Sequence, residues 1–306
     1  MTAAALLAAV TIAFPKEGQL LPSVSRCYAI GATDGGETSL VVRAGRRIPV
    51  SRTGAWGTLV EVVPGTNVLE IGDCRRTFVV AKADKGRTTD DKGKVYGKLP
   101  YSADKPARHA ADRKPAEIAV VIDAGHGGED AGAVSPHGLP EKDANLRLAK
   151  AVAAKLRSSG VRVLMTREGD ETLELYDRPK EAHALKADAF VSIHHNAPGY
   201  EMDPTSCRYQ AVYAWNPIGE KLAKSIAGRM AAARPDLPSK GVIHANFAVT
   251  RSPEIPSCLV EADFITHPDG EADSWSAAVR EPIAAAIADG ILASLSVPGG
   301  SANVEF

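Results

Sequence analysis

From residue 117 onward the chain alternates two hydrophobic periods, and that alternation limits the folds open to it. "EIAVVIDAG" is a continuous apolar run, as expected of a strand covered on both faces. After a short loop, "EKDANLRLAKAVAAKLRSSG" puts Leu146, Ala149, Val152, Ala153 and Leu156 on one helical face and ends on a glycine. The pattern continues with a strand "VRVLMTR", a helix "ELYDRPKEAHALK" and a strand "DAFVSIHHNA". Next come a strand "RYQAVYAW", a helix "PIGEKLAKSIAGRMAAA", strands "FAVTR" and "SCLVEADF", and one last helix, "SWSAAVREPIAAAIADGILASL". Such alternation predicts an α/β domain, an open, mostly parallel sheet flanked by helices.

The first 81 residues read differently. Short β-branched or aromatic runs such as "VTIAF", "RCYAIG", "GTLVEVV", "NVLEIG" and "RRTFVV" are cut by "TDGGE", "RTGA" and "PGT". These breakers supply the positive-φ positions of tight turns. About seven such runs predict a small all-β sandwich. Trp56 and Tyr28 stand alone and are assigned to its core, since no aromatic platform surrounds them. Between the two patterns lies a stretch with ten Lys/Arg against five Asp and almost no apolar period, the composition of an extended, polar, basic linker. The expected organisation is a sandwich over 1–81, a linker over 82–116, a catalytic domain over 117–296 and a tail over 297–306.

With a net charge of −1 and no arginine-rich stripe, nothing points to nucleic acid. No run reaches the roughly 18 apolar residues of a membrane span. Residues 1–9 are either a signal remnant lacking its basic region or the approach to a first strand. The four cysteines lack CxxC or metal-knuckle spacing, which argues against a cysteine-based zinc site. Two disulfides, Cys27–Cys74 and Cys207–Cys258, or four free buried thiols both fit.

Ligands in open α/β sheets bind beyond the carboxyl ends of the strands. Three strands here end in groups able to hold a metal or a proton: His126, the pair His194–His195, and Glu261 with Asp263; Glu141 opens the first helix. Two imidazoles and a carboxylate make a common catalytic zinc set with one position left for water. A further carboxylate is then wanted to move the water's proton, and Glu261 is available. Gly127 and Gly128 let backbone and substrate come close. Each residue alone reads more simply as a structural group; together at one sheet edge they point to a site.

The blocks "IDAGHGGEDAGA", "EKDANLRLAKAVAAKL", "VLMTREGD", "LYDRPKEAHALKADAFVSIHHNA" and "VTRSPEIPSCLVEADFITHPDGE" resemble, in order, the zinc-dependent N-acetylmuramoyl-L-alanine amidases of the bacterial cell wall. The resemblance covers residues 117–295. It implies that His126, Glu141 and His194 bind one Zn²⁺ and that Glu261 is the catalytic carboxylate. His194 is preferred to His195 as the residue directly after "SI", and neighbours in a strand face opposite sides. His195, Asn196, Asp123 and Asp263 are expected to touch substrate or support the ligands, with a plain loop role for Asp123 equally open. Arg178 is expected to brace the sheet edge. His109, His183 and His267 read as linker, helix and loop residues, while His137 and His244 can line the cleft. The front half is similar to the immunoglobulin-like sandwich that precedes some exported cell-wall enzymes.

Two departures from the family pattern stand out. An acid, Asp263, follows the "VE" block, where it can alter metal affinity, and His267 replaces a frequent asparagine. Residues 196–216 leave room for only a short loop and one strand between "SIHHNA" and the next helix, so no autoinhibitory helix is expected.

The implied function is zinc-dependent hydrolysis of the amide between N-acetylmuramic acid and L-alanine in peptidoglycan, for wall remodelling, daughter-cell separation or recycling. An enzyme of this kind is expected in the exported bacterial envelope (periplasm or outside the cell), as a monomer. The rivals are a zinc peptidase cutting within the peptide stem and a non-catalytic wall-binding or regulatory protein.

Overall fold

Residues 9–34, 36–42, 45–82, 114–252 and 254–295 are described by the computed structural model of the chain. Eight short strands occupy the front: β1 (Val10–Phe14), β2 (Leu20–Leu21), β3 (Arg26–Thr33), β4 (Ser39–Val41), β5 (Arg47–Pro49), β6 (Ala55–Glu61), β7 (Gly65–Ile71) and β8 (Cys74–Val80). They form two three-stranded sheets, β1-β3-β6 and β2-β8-β7, and the ribbon β4-β5. The β7–β8 hairpin closes over two residues between Ile71 and Cys74. Gly72 takes the first of them at φ 57°, where a tight hairpin needs a residue without a Cβ. One apolar core joins the sheets: Ile12, Ile30 and Trp56 meet Leu69, Ile71, Phe78 and Val80. Trp56 and Tyr28 are both buried.

The larger part is built on β9 (Ala119–Ala124), α1 (Glu141–Ser158), β10 (Arg162–Met165), α2 (Arg178–Leu185), β11 (Ala189–Asn196), β12 (Gln210–Ala214), α3 (Pro217–Ala233), β13 (Ser239–His244), β14 (Ser257–Phe264), α4 (Pro268–Trp275) and α5 (Ala277–Ser294). The sheet order is β10-β9-β11-β14-β12-β13. The first four of these strands run parallel, β12 is antiparallel to β14, and β13 is parallel to β12. All six residues of β9 are buried, the reason it reads as an unbroken apolar run. One face packs Val120, Ile122, Val191 and Val260 against α1, α3 and α5. The other packs Val121, Phe190 and Leu259 against Ala182 of α2 and Val249.

Several expected elements need correction. "FAVTR" is not a strand: Ala248–Thr250 is a single 3₁₀ turn, and the strand is β13, whose glycine and lysine mask its pattern. The last helix is two, because Ser276 breaks out of helical geometry (ψ 122°) between α4 and α5. The helix read over "ELYDRPKEAHALK" begins only at Arg178, with Pro179 in its first turn, where a proline is tolerated. Of the stretch read as linker, 83–113 lie outside the described residues, as do 1–8 and the tail beyond 295. Neither disulfide is formed, and all four cysteines are free thiols. Cys27 lies in β3 and Cys74 in β8, strands of different sheets around the front core. Cys258 lies deep in the core of the larger sheet, on the strand that packs against α3, whereas Cys207 belongs to the loop between β11 and β12.

Candidate functional site

The parallel strands β9, β11 and β14 end side by side, and their ends carry the chemistry. The β9 ladder runs one residue further, with Gly125 N donating to Ile193 O (3.0 Å). There the backbone turns through three successive positive φ angles: His126 at 61°, Gly127 at 134° and Gly128 at 57°. The glycines adopt these freely, but for His126 the left-handed region is strained, and such strain persists only where the surroundings enforce it. Two buried arginines do so. Arg167 donates to Ala124 O (2.8 Å) and Gly125 O (2.9 Å), and Arg178 donates to Ala124 O and His126 O (both 2.9 Å). Asp123 holds Arg178 in turn (2.9 Å) and accepts from Thr166 and Ser192 (both 2.6 Å). It therefore steadies the turn through Arg178 and makes no contact with an imidazole.

This turn swings the His126 imidazole to Glu141, the first residue of α1. His126 Nε2 lies 3.2 Å from Glu141 Oε2, and His194 Nδ1 lies 3.1 Å from Glu141 Oε1. The donor atoms of the three residues all fall within 4.8 Å of one another. Close packing of this kind needs glycine nearby. A Cβ on Gly125 would sit 2.1 Å from His194 Nε2, and one on Gly132 would sit 2.6 Å from Glu141 Oε2. Backbone and side chains also fix Glu141: Oε2 accepts from Ala133 N (3.0 Å), and Oε1 from Asn145 Nδ2 (3.0 Å) and His195 N (3.2 Å). The far nitrogen of His126, Nδ1, donates to Asp130 (2.8 Å). An imidazole anchored through one nitrogen presents the other to a metal in a fixed tautomer. Two imidazoles and one carboxylate, pre-aimed and supported, suit zinc.

Electrostatics agree with the geometry. Burial opposes ionisation of Glu141, but hydrogen bonds from His126 and His194 outweigh it and hold the carboxyl well below the usual range. Burial likewise disfavours charge on His126, yet Glu141 and then Asp130 raise it to about 9. The cluster is thus a carboxylate clasped by imidazole N–H groups, a charge pattern a divalent cation can replace.

Glu261 faces this cluster from the next strand. His194 and Glu261 are register partners in the parallel pair β11–β14. Glu261 is half-buried, and its Oε2 is enclosed without a hydrogen-bond partner. Burial, then the nearby Glu141 charge, pushes its carboxyl well above the normal range. A perturbed, unpartnered acid beside candidate metal ligands is a candidate proton-transfer group.

The remaining expected residues separate. His195 turns to the opposite side of β11, where Nδ1 pairs with Asn145 Oδ1 (2.9 Å), and burial lowers it to about 4. Asn196 caps the strand end, its side chain accepting from Ala197 N (2.8 Å). Asp263 is not an extra acid at the cluster, because Arg208 holds it in a two-pronged contact (2.7 and 3.0 Å). His137 is tied to Glu271 (2.7 Å) rather than to the cluster, His244 pairs with Glu220 (3.3 Å) on the surface, and His267 caps α4. Asp130, Asn145 and Arg167 escaped sequence reasoning. The run "GHGGEDAG" does carry a usable signal, since Asp130 stands four residues after His126 in a loop short enough to fold back.

With this geometry in hand, comparison with known proteins gives one consistent result. The family model described as N-acetylmuramoyl-L-alanine amidase matches residues 120–293. The amidase AmiA of Escherichia coli is 34% identical over 215 residues, spanning 56% of this chain and 74% of that protein. Among solved structures, the amidase AmiC2 of Nostoc punctiforme is 36% identical, covers 58% of this chain and 97% of its own, and superposes with a TM-score of 0.55. The catalytic domain of the amidase CwlV from Bacillus (Paenibacillus) polymyxa is 34% identical over 59% of this chain and 99% of its own, also at 0.55.

Proposed function

Since the chain belongs to the N-acetylmuramoyl-L-alanine amidase family, we propose that it is a zinc enzyme cutting peptidoglycan between the lactyl group of N-acetylmuramic acid and L-alanine. His126, Glu141 and His194 hold the metal, and Glu261 carries the proton. The observation that bears most weight is the placement of an unpartnered Glu261 directly across the β11–β14 register from His194. Bound at the three residues, zinc would supply a Lewis acid that lowers the pKa of water and polarises the scissile carbonyl.

The chain's own groups account for the rest. Glu261 Oε2 takes one proton from the attacking water as its oxygen joins the carbonyl carbon. The same carboxyl returns that proton to the amide nitrogen as the carbon–nitrogen bond breaks, leaving a lactyl carboxylate and the free amine of L-alanine. Asp130 keeps the His126 ring aimed, and Asn145 with His195 N keeps Glu141 aimed, so little reorganisation accompanies the reaction.

The front strands form a separate immunoglobulin-like sandwich on this reading, joined through a linker over 82–116 to a catalytic domain over 117–296. The enzyme works as a monomer in the exported envelope. Among the described residues no helix is long and apolar enough to cross a membrane, and β11 joins β12 through a loop without a helix.

The test is mass spectrometry of purified peptidoglycan digested with and without a chelator. Free stem peptides beginning with L-alanine, lost on chelation and restored by zinc, are the expected products. Cleavage inside the stem would leave the zinc hydrolase but refute the bond, and no product with any metal would refute the enzyme.

A further inference from the structure

We propose that the front β-domain is a working part of the catalytic site, clamping the two loops that frame the candidate metal cluster. Val134, midway between His126 and Glu141, packs against the front domain's apolar core. The loop 197–209, which leaves β11 just past His194 and returns at β12 beside Glu261, docks on the same domain more extensively. Tyr200 stacks at 6.1 Å from Phe14 and 6.4 Å from Tyr28, which themselves stack at 4.6 Å. Tyr28 N donates to Tyr200 O (2.8 Å). The Glu201 carboxylate accepts from Ser25 N (3.0 Å) and Ser25 Oγ (2.8 Å). Gly57 of β6 leaves room for Thr205: a Cβ there would lie 2.9 Å from the Thr205 methyl group and 3.1 Å from Pro204.

The far half of the same loop is fastened to the strand that bears Glu261. His267 Nε2 donates to Thr205 O (3.1 Å), and Arg208 grips Asp263, two residues beyond Glu261. A continuous line of direct contacts therefore runs from β3 and β6 through Tyr200, Glu201 and Thr205 to the end of β14. Packed contacts of this kind carry a displacement at one end to the other. Two loops that lead to residues of the cluster share one support, so Tyr200 and Glu201 are positioning residues for Glu261. They touch neither the reacting atoms nor the ligands. The catalytic consequence rests on the zinc-amidase reading; the mechanical linkage does not.

The experiment uses the full-length protein with four variants: Tyr200→Ala, Tyr200→Phe, Glu201→Ala and Gly57→Val. Steady-state rates on solubilised peptidoglycan fragments are paired with zinc affinity by chelator competition, hydrogen exchange over 197–209 and 261–267, and thermal melting. Tyr200→Ala and Gly57→Val are expected to lower kcat roughly tenfold or more, as small misplacements of reacting groups do. KM and zinc affinity should stay near wild type, and exchange should speed up in both segments. Tyr200→Phe keeps the stack and should restore kcat. Glu201→Ala lies at the edge and should give a smaller loss of the same kind. Gly57→Val acts from the front domain alone, so its loss of kcat would be hard to explain by a local defect at the site. Lower melting temperature with unchanged kcat and unchanged exchange at 261–267 would overturn the inference. An unchanged kcat in a well-folded Gly57→Val would do so too, as would a loss residing wholly in KM. Wild-type protein with no amidase activity would instead defeat the functional reading, while the exchange data would still decide the linkage.

Discussion

Removing the Asp130 carboxylate isolates one link in the proposed centre, because Asp130 touches His126 and its own loop but not the metal position. Its Oδ2 accepts from His126 Nδ1 at 2.8 Å, and its Oδ1 accepts from Gly132 N at 3.1 Å. Loss of a group that orients a ligating imidazole lowers metal affinity by about 10- to 100-fold, or about 1.4 to 2.7 kcal/mol. Asp130 is well exposed, with 64% of its side chain accessible, so water and salt screen its charge and the low end applies. Asp130→Ala should weaken zinc binding about tenfold. Asp130→Asn keeps an oxygen that accepts from Nδ1 and should lose only about threefold, the share owed to charge. Competition against a chromogenic chelator at fixed pH and ionic strength reads both numbers directly. Equal affinity in wild type and Asp130→Ala would mean that His126 does not ligate or that its ring is held by the backbone turn alone. A larger loss in Asn than in Ala would also refute the reasoning, since it would place the effect elsewhere than in the hydrogen bond.

Three other outcomes follow from the same site and core. Glu261→Gln should retain fold and zinc but lose about 10²- to 10⁴-fold in turnover, the range of general acid–base catalysis; near-wild-type rates would remove Glu261 from proton transfer. His126 stands at about 9 without metal, so at neutral pH zinc must displace its proton. Affinity should then rise about tenfold per pH unit until about pH 9 and flatten above it, with about one proton released per zinc in calorimetry at pH 7, and pH-independent affinity would refute this. Four free thiols should titrate after denaturation. In the native protein the half-exposed Cys74 should react first, while Cys27, pushed by burial to about 12, and Cys258, raised further by burial, stay inert. Fewer than four thiols in unfolded, unreduced protein would reinstate a disulfide.

Elements whose sides differ strongly in burial were the ones readable from sequence. The "PIGEKLAKSIAGRMAAA" segment coincides with α3, since Asn216 caps it (2.9 Å to Gly219 N) and a proline fills its first turn. Strand β13 escaped notice because it lies at the sheet edge, and none of its six residues is fully buried. An edge strand has no reason to keep an apolar pattern. "FAVTR" misled for the opposite reason: Val249 is buried against Phe190 and Leu259, so it looks like sheet while forming one turn. The split between α4 and α5 is set by a single backbone torsion at Ser276, and apolar residues continue on either side of it.

Within the site, helix starts and strand ends were legible, and partners fixed by tertiary folding were not. His126, Glu141, His194 and Glu261 each stand where an apolar run stops or a helix starts, which sequence can show. Asn145 is one turn along α1 from Glu141 and reads as an ordinary helix residue; its role appears only when β11 brings His195 alongside. Asp263 shows the converse error, an acid two residues from Glu261 whose charge is consumed by Arg208 from a distant loop.

What finally makes four separated residues into one centre is strand register. His194 pairs with Glu261 and Ser192 with Leu259 in β11–β14, while Ile193 of β11 pairs with Ala124 of β9. A slip of one residue between β11 and β14 would send Glu261 to the opposite face, into the apolar core under the helices where Cys258, Val260 and Ala262 now lie. A buried carboxylate there would lack any partner and cost several kcal/mol. The apolar alternation that builds the core therefore also selects the register that sets Glu261 opposite His194. Substituting Val260 by a polar residue of similar size, Val260→Thr, should accordingly lower stability by about 1 to 3 kcal/mol for the buried hydroxyl. Activity per folded molecule should be preserved, because the register is held by the remaining apolar positions. A loss of specific activity without a loss of stability would show that core packing and register are not coupled in this way.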